Sequence, residues 1–169
     1  MADETAVRVM YLLRSRHETL ATAESLTGGM LGDLLTAVPG SSVFFEGGVI
    51  AYASDVKVNL LGVSQRTVEK HGVVSAECAQ EMAEGARKAI GATWAVSTTG
   101  VAGPDPQEDK PVGLVYLAVA GPRSTVRELQ IEGDRATIRR QACEEALVAL
   151  IQTVNADFVD PAREVSPGR

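Results

Sequence analysis

Pro39-Gly40-Ser41-Ser42-Val43-Phe44-Phe45-Glu46-Gly47-Gly48-Val49-Ile50-Ala51-Tyr52-Ala53-Ser54-Asp55-Val56-Lys57 gathers two hydroxyls, a phenol and a lysine around one short apolar run. Residues 39–42 read as a turn. Residues 45–52 read as a strand, with Val49, Ile50 and Tyr52 suited to a pleated surface. A glycine pair inside a strand, here Gly47-Gly48, marks a bulge or a close backbone approach. Beyond Tyr52 the apolar spacing becomes helical through Val56, Leu60 and Leu61, which sets Lys57 in the first or second turn of a helix. Ser42 and Lys57 therefore bracket one strand. A strand of about eight residues spans roughly 26 Å, so the two meet only if the chain folds back sharply or a partner subunit supplies the serine.

Towards the N-terminus, residues 4–17 have the spacing of an amphipathic helix, acidic at its start and basic at its end, as the helix dipole favours. Residues 20–23 form a short strand ending in Glu24-Ser25. Thr27-Gly28-Gly29 then opens a helical run through Met30, Leu31, Leu34 and Leu35. A strand-to-helix junction of this kind presents backbone amides to an anion, although Ser25 there equally suits a helix cap. Towards the C-terminus, residues 64–70 read as a short helix, and Ser75 caps a longer alanine-rich helix to Ile90. Strands are expected at 92–98, 114–120 and 125–131, the last two as an antiparallel hairpin around Gly121-Pro122, so the sheet is expected to be mixed. Thr99-Gly100-Val101-Ala102-Gly103-Pro104 is a glycine-containing turn that fits neither GxGxxG nor a P-loop, and 105–110 is a polar loop. A last helix starts near Gly133-Asp134 and runs to about residue 155. Arg135, Arg139 and Arg140 crowd its first turns against the dipole, which hints at anion binding beside the plainer reading of a solvated face. Residues 157–169 read as a frayed tail, leaving one domain over 1–156.

With 169 residues, 45% hydrophobic and 22% charged, the chain has the composition of one ordinary globular domain. A net charge of −6 argues against a surface built for nucleic acid or anionic lipid. The N-terminus lacks the order of a secretory signal, and no apolar run approaches 18 residues, so the expected location is the cytoplasm. Cys78 and Cys143 fall on apolar helix faces and are too few for a disulfide framework or a cysteine zinc site.

Six segments in order, ATAESLTGG at 21–29, PGSSVFFEGGVIAYASDVKVNLLGV at 39–63, HGVVS at 71–75, TTGVAGP at 98–104, KPVG at 110–113 and GDRATIRRQA at 133–142, together resemble the CinA C-terminal domain family. That family includes stand-alone nicotinamide-nucleotide amidases. The resemblance implies a three-layer α/β/α sandwich with a mixed sheet, and hydrolysis of the carboxamide of nicotinamide mononucleotide to nicotinate mononucleotide and ammonia, without metal or cofactor. It implies Ser42 and Lys57 as a catalytic pair with Ser25 and Tyr52 beside them. Thr27, Gly28, Gly29, Ser41, Thr99, Gly100, Gly103 and Arg135 are the expected substrate-binding set. Relatives often carry cysteine after the first serine and asparagine two residues after the tyrosine, where this chain has Leu26 and Ser54. The resemblance also favours a homodimer or higher homo-oligomer, for which the helix over 75–90 and the N-terminal helix are the candidate surfaces.

Amide hydrolysis needs a nucleophile, a base and donors for the oxyanion. The two histidines, His17 and His71, stand beside no candidate serine in sequence, whereas a lysine serves as base once desolvation lowers its pKa towards roughly 7 to 8. On this reading Ser42 attacks, with Ser25 as second choice, Lys57 takes the proton, and amides near 41–43 or 28–29 hold the oxyanion. Two other classes stand against it. One is a non-catalytic nucleotide-binding module. The other is a phosphate-ester hydrolase, which would call for a metal-binding carboxylate set that the sequence does not display.

Overall fold

The sheet is built in two directions from one central strand. The computed structural model describes residues 3–156, so the expected tail at 157–169 lies outside the described residues. The elements are α1 (Glu4–Arg16), β1 (Leu20–Glu24), α2 (Met30–Thr36), a 3₁₀ turn (Ser41–Val43), β2 (Phe45–Ile50), α3 (Ser54–Leu61), α4 (Gln65–His71), α5 (Ala76–Ile90), β3 (Trp94–Gly100), β4 (Leu114–Ala120), β5 (Thr125–Gln130) and α6 (Arg135–Asn155). Their caps are written in the sequence: Asp3 accepts the amides of Thr5 and Ala6, Ser75 that of Cys78, and Asp134 that of Thr137.

Strand order is β2-β1-β3-β4-β5. β1 runs parallel to both β2 and β3, and the β3–β4 and β4–β5 pairs are antiparallel, so the sheet is mixed as expected. Alternation along the strands makes the two faces unlike. One face carries Leu20, Trp94, Val96, Val115, Leu117 and Val119 and packs under α1, α2 and α6. The other is lined by small residues, Ala21, Ala23, Ala95, Ala118 and Ala120, on which α5 lies with Ala79, Met82, Ala83 and Ala86. Small side chains on both partners bring helix and sheet close. Gly85 on α5 extends this to α3, since a Cβ there would collide with the Leu61 carbonyl.

This packing occupies the inward faces of the two helices expected to offer oligomer surfaces. The alanine stripe of α5 is spent on the sheet, and α1 buries Ala6, Val9, Met10 and Leu13 in the core it shares with α6. The glycine pair in β2 behaves as the sequence suggested. The register with β1 slips from Leu20↔Phe45 to Ala21↔Gly47, leaving Glu46 as the extra residue, and Gly48 lies so close to Thr22 that any Cβ would clash with its hydroxyl.

What matters for chemistry is the carboxyl end of the three parallel strands. After β1 the chain crosses to β2 on one side, while β3 pairs on the other, so the loops following β1 and β3 diverge and open a crevice between them. Ser25 follows β1, Ala51 and Tyr52 follow β2, and Val101 to Gly103 follow β3. Among the described residues no helix is long and apolar enough to cross a membrane.

Candidate active site

The crevice is a cavity of about 200 Å³ lined by Ser25, Leu26, Tyr52, Ser54, Lys57, Thr99, the 100–103 turn and Arg135, with Val73, Val74, Asp105 and Gln107 closing one side. At its floor lies Lys57, carried on α3 and only 2% exposed. Its Nζ donates to the carbonyls of Ala51 (2.8 Å) and Tyr52 (3.4 Å) and stands 3.0 Å from Ser25 Oγ. As a neutral amine it satisfies both carbonyls with its two N–H bonds and points its lone pair at the serine hydroxyl. Burial pulls the ammonium pKa below its usual value, against a weaker upward pull from Cys78 and Glu108. Cys78 itself is pushed up to about 11 by burial, so the thiol near the lysine stays protonated.

The expected pairing of Lys57 with Ser42 is not made within the chain. Ser42 is exposed on the 3₁₀ turn that precedes β2, whereas Lys57 follows it. Six residues of strand separate the two by about 20 Å along the sheet. Ser41 shares that turn and lies outside the cavity. The parallel β1–β2 pairing instead brings the ends of both strands level, so Ser25, the second choice, takes the place beside Lys57.

Most of the amides first considered for an oxyanion are also taken. Those of Gly29 and Leu31 bond to Glu24 Oε2 and that of Gly32 to Glu24 Oε1, at 2.8–3.0 Å, while Gly28 N–H bonds to the Ser25 carbonyl. An anion does sit at this helix start, as the glycine pair suggested, but it is the chain's own carboxylate, 2% exposed. Thr27 is turned inwards, its hydroxyl bonded to Glu24 and Thr98. Around the 41–43 turn, the Ser41 and Val43 amides bond to Val38 and Gly40.

Other expected residues keep their place with altered roles. Tyr52 reaches Lys57 through its main-chain carbonyl, and its phenol accepts from Arg135 at 2.9 Å. Arg135 also bonds the Gly103 carbonyl (2.6 Å), so it ties two walls of the cavity together. Thr99 is buried with its hydroxyl donated to Val73 (2.6 Å), and it holds the 71–75 loop. The three arginines of α6 separate: Arg135 lines the cavity, Arg139 bonds the carbonyls of Leu26 and Thr27, and Arg140 pairs with Glu144. His17 caps α1 and His71 lies 3.5 Å from Glu77, so neither lines the cavity.

Nothing in the residue pattern pointed to the role of the polar loop at 105–110. A tight turn with Glu108 and Asp109 at φ 51° and 58° folds it over the cavity. There the Glu108 carboxylate accepts the Val73 and Val74 amides, and Lys110 donates to His71 and Val74 carbonyls. Only the sequence proximity of glutamate and lysine to a glycine-rich turn could have drawn attention to it.

A single α/β/α domain with a buried lysine and a serine at the switch point of its sheet is thus the class of protein in hand. The CinA C-terminal domain matches residues 2–154, and the chain belongs to that family. It is 50% identical over 140 residues to a CinA-like protein of Frankia casuarinae (82% of this chain, 32% of that one). It is equally identical over 149 residues to one of Synechococcus elongatus (86% and 35%). The chain thus spans about a third of the length of these curated relatives. Among solved structures it resembles competence/damage inducible protein CihA of Agrobacterium tumefaciens (36% identity, TM-score 0.86, 90% of this chain and 94% of that chain). The competence damage-inducible protein A of Klebsiella pneumoniae is similar (34%, TM-score 0.88, 92% and 97%).

Proposed function

We propose that this chain is an amidohydrolase that converts nicotinamide mononucleotide and water to nicotinate mononucleotide and ammonia, with Ser25 as nucleophile and Lys57 as base. The observation that carries the reading is the desolvated Lys57 amine 3.0 Å from Ser25 Oγ at the floor of the crevice; the motif resemblance supplies the substrate. Lys57 takes the hydroxyl proton as Ser25 Oγ adds to the carboxamide carbon. The tetrahedral adduct then collapses with cleavage of the C–N bond, and the ammonium proton of Lys57 passes to the leaving nitrogen, releasing ammonia. Water attacks the resulting ester with Lys57 again as base, which frees the carboxylate product and restores Ser25. Ammonia release from the mononucleotide, measured against phosphate release with and without a chelator, tests the reaction. Phosphate alone would indicate an esterase, and tight binding without either product a binding module.

Two further results are expected. Because only the neutral amine accepts the proton, kcat/KM should rise with pH along a limb set by Lys57, at a pH below the ordinary lysine range near 10.5. A pH–rate profile falling with pH over that range would contradict this. Arg135 is expected to receive the 5′-phosphate, being the cavity's arginine at the start of α6. Arg135→Gln should raise KM by the equivalent of about 1.5 to 3 kcal/mol with kcat little changed. Nicotinamide riboside should be a correspondingly poor substrate, and equal kcat/KM for riboside and mononucleotide would remove the phosphate contact.

A further inference from the structure

The turn that follows Ser25 leaves two buried amides with nothing to bond. The Ser25 carbonyl accepts from Gly28 N–H at 3.1 Å and closes a four-residue turn with Leu26 and Thr27 at its centre. Leu26 is 4% and Thr27 0% exposed, and among the described residues neither amide N–H has an acceptor. Buried amides are almost always paired, because an orphan costs about as much as a lost hydrogen bond. Of the two residues, Leu26 lines the cavity directly after the candidate nucleophile, so its orphan amide calls for an acceptor that arrives with the substrate.

The carbonyls of the same two residues are held from the opposite side. Arg139, one turn along α6 from Arg135, donates from Nε to the Leu26 carbonyl (2.9 Å) and from Nη2 to the Thr27 carbonyl (3.0 Å). In a trans peptide the C=O and the following N–H point in opposite directions. A guanidinium gripping the Leu26 carbonyl therefore turns the Thr27 N–H away from α6. The Leu26 N–H is fixed in the same manner, since the Ser25 carbonyl of its peptide is bound to Gly28. Arginine suits this task because its rigid fork spans two adjacent oxygens, which a lysine ammonium grips singly.

Resting on the amidase reading above, we propose that the Leu26 amide is an oxyanion donor for the tetrahedral adduct on Ser25, and that Arg139 is the positioning residue that fixes the turn carrying it. Arg139 itself touches no substrate. Its loss should leave ground-state binding alone and weaken the transition state, because the donor is misaimed only for the oxygen that moves off the carbonyl plane.

The test uses the full chain with nicotinamide mononucleotide as substrate and the corresponding 3-carboxaldehyde mononucleotide as an inhibitor that adds to the serine. Arg139→Gln should lower kcat about 100-fold, the scale of a lost oxyanion donor, with KM within about threefold. Its alkaline-rising limb should stay where it is, since Lys57 and Ser25 are untouched. Aldehyde inhibition should weaken by about the same factor as kcat, while binding of the product is retained. Arg139→Lys should fall between the two, and it gives the same split should the glutamine variant fail to fold. An unchanged kcat overturns the proposal, as does a raised KM with kcat intact, which would make Arg139 a substrate ligand. Absence of amide turnover in the unmodified chain would remove the amidase reading itself, a result distinct from a variant that matches an active parent.

Discussion

Replacing Lys57 by methionine is expected to lower kcat by roughly four orders of magnitude or more, and Ser25→Ala by a similar factor. The double variant should be little worse than either single one, because a nucleophile and its base act as one unit. Both should still bind the mononucleotide through Arg135. The Lys57→Met variant also separates lost chemistry from lost fold. Lys57 has a lowered pKa in the folded chain and an ordinary one near 10.5 when unfolded. Between those two values the unfolded state binds more protons, so the parent's stability rises with pH across that window and is penalised below it. Methionine fills similar space without a proton, so its variant should unfold no earlier than the parent near neutrality and should lack that rise. Ser42→Ala should keep activity within a few-fold, since Ser42 is exposed at the other end of β2. Acid quenching of a brief reaction and mass mapping should place the nicotinoyl ester on Ser25. An ester on Ser42, or an inactive Ser42→Ala, would mean that a second copy completes the site and would overturn the assignment.

The difference between Ser42 and Ser25 shows where local reading ends. Both serines follow from motifs, and Lys57 falls where the helical spacing after Tyr52 puts it. Which serine it meets depends on strand direction. An antiparallel β1–β2 pair would have set Ser25 at the Ser42 end of β2. The parallel pairing that carries Ser25 to Lys57 is a long-range choice, dictated by the crossover through α2. Elements were legible because their signals are local: the Asp3, Ser75 and Asp134 caps, the bulge at Gly47-Gly48 and the hairpin of β4 and β5 appear close to where composition placed them. Side-chain targets were not. The arginines of α6 looked like one anion-binding cluster, yet a helix spreads residues 135, 139 and 140 over different neighbours, and only Arg135 reaches the cavity. The alanine stripe of α5 was legible as a close-packing face, but not that its partner is a sheet face of equally small residues.

Glu24→Ala is expected to cost about 4 kcal/mol of stability, because a buried carboxylate there gathers four donors, three of them main-chain amides with no other acceptor. Its removal leaves the Thr27 hydroxyl with Thr98 alone and strands the amides of Gly29, Leu31 and Gly32, each a loss of about 1 to 3 kcal/mol if left dry, offset in part by water entering the space. It also strips the start of α2 of the negative charge its dipole favours, and Gly29 at the cap position has no side chain to substitute. Glu24→Gln keeps the shape but turns one oxygen into a donor that faces donors, so it should recover only part of the loss. For a chain of this size about 4 kcal/mol corresponds to a fall of roughly 10 °C in Tm. Thermal and urea unfolding of both variants would measure it, and a Tm within about 2 °C of the parent for Glu24→Ala would refute the argument. The consequence for chemistry is direct, since Glu24 precedes Ser25 and its carboxylate fixes the 27–32 segment on which the turn at Leu26 and Thr27 rests. Activity in both variants should therefore fall together with stability at temperatures where the fold is intact, and the loss should appear in kcat before it appears in KM.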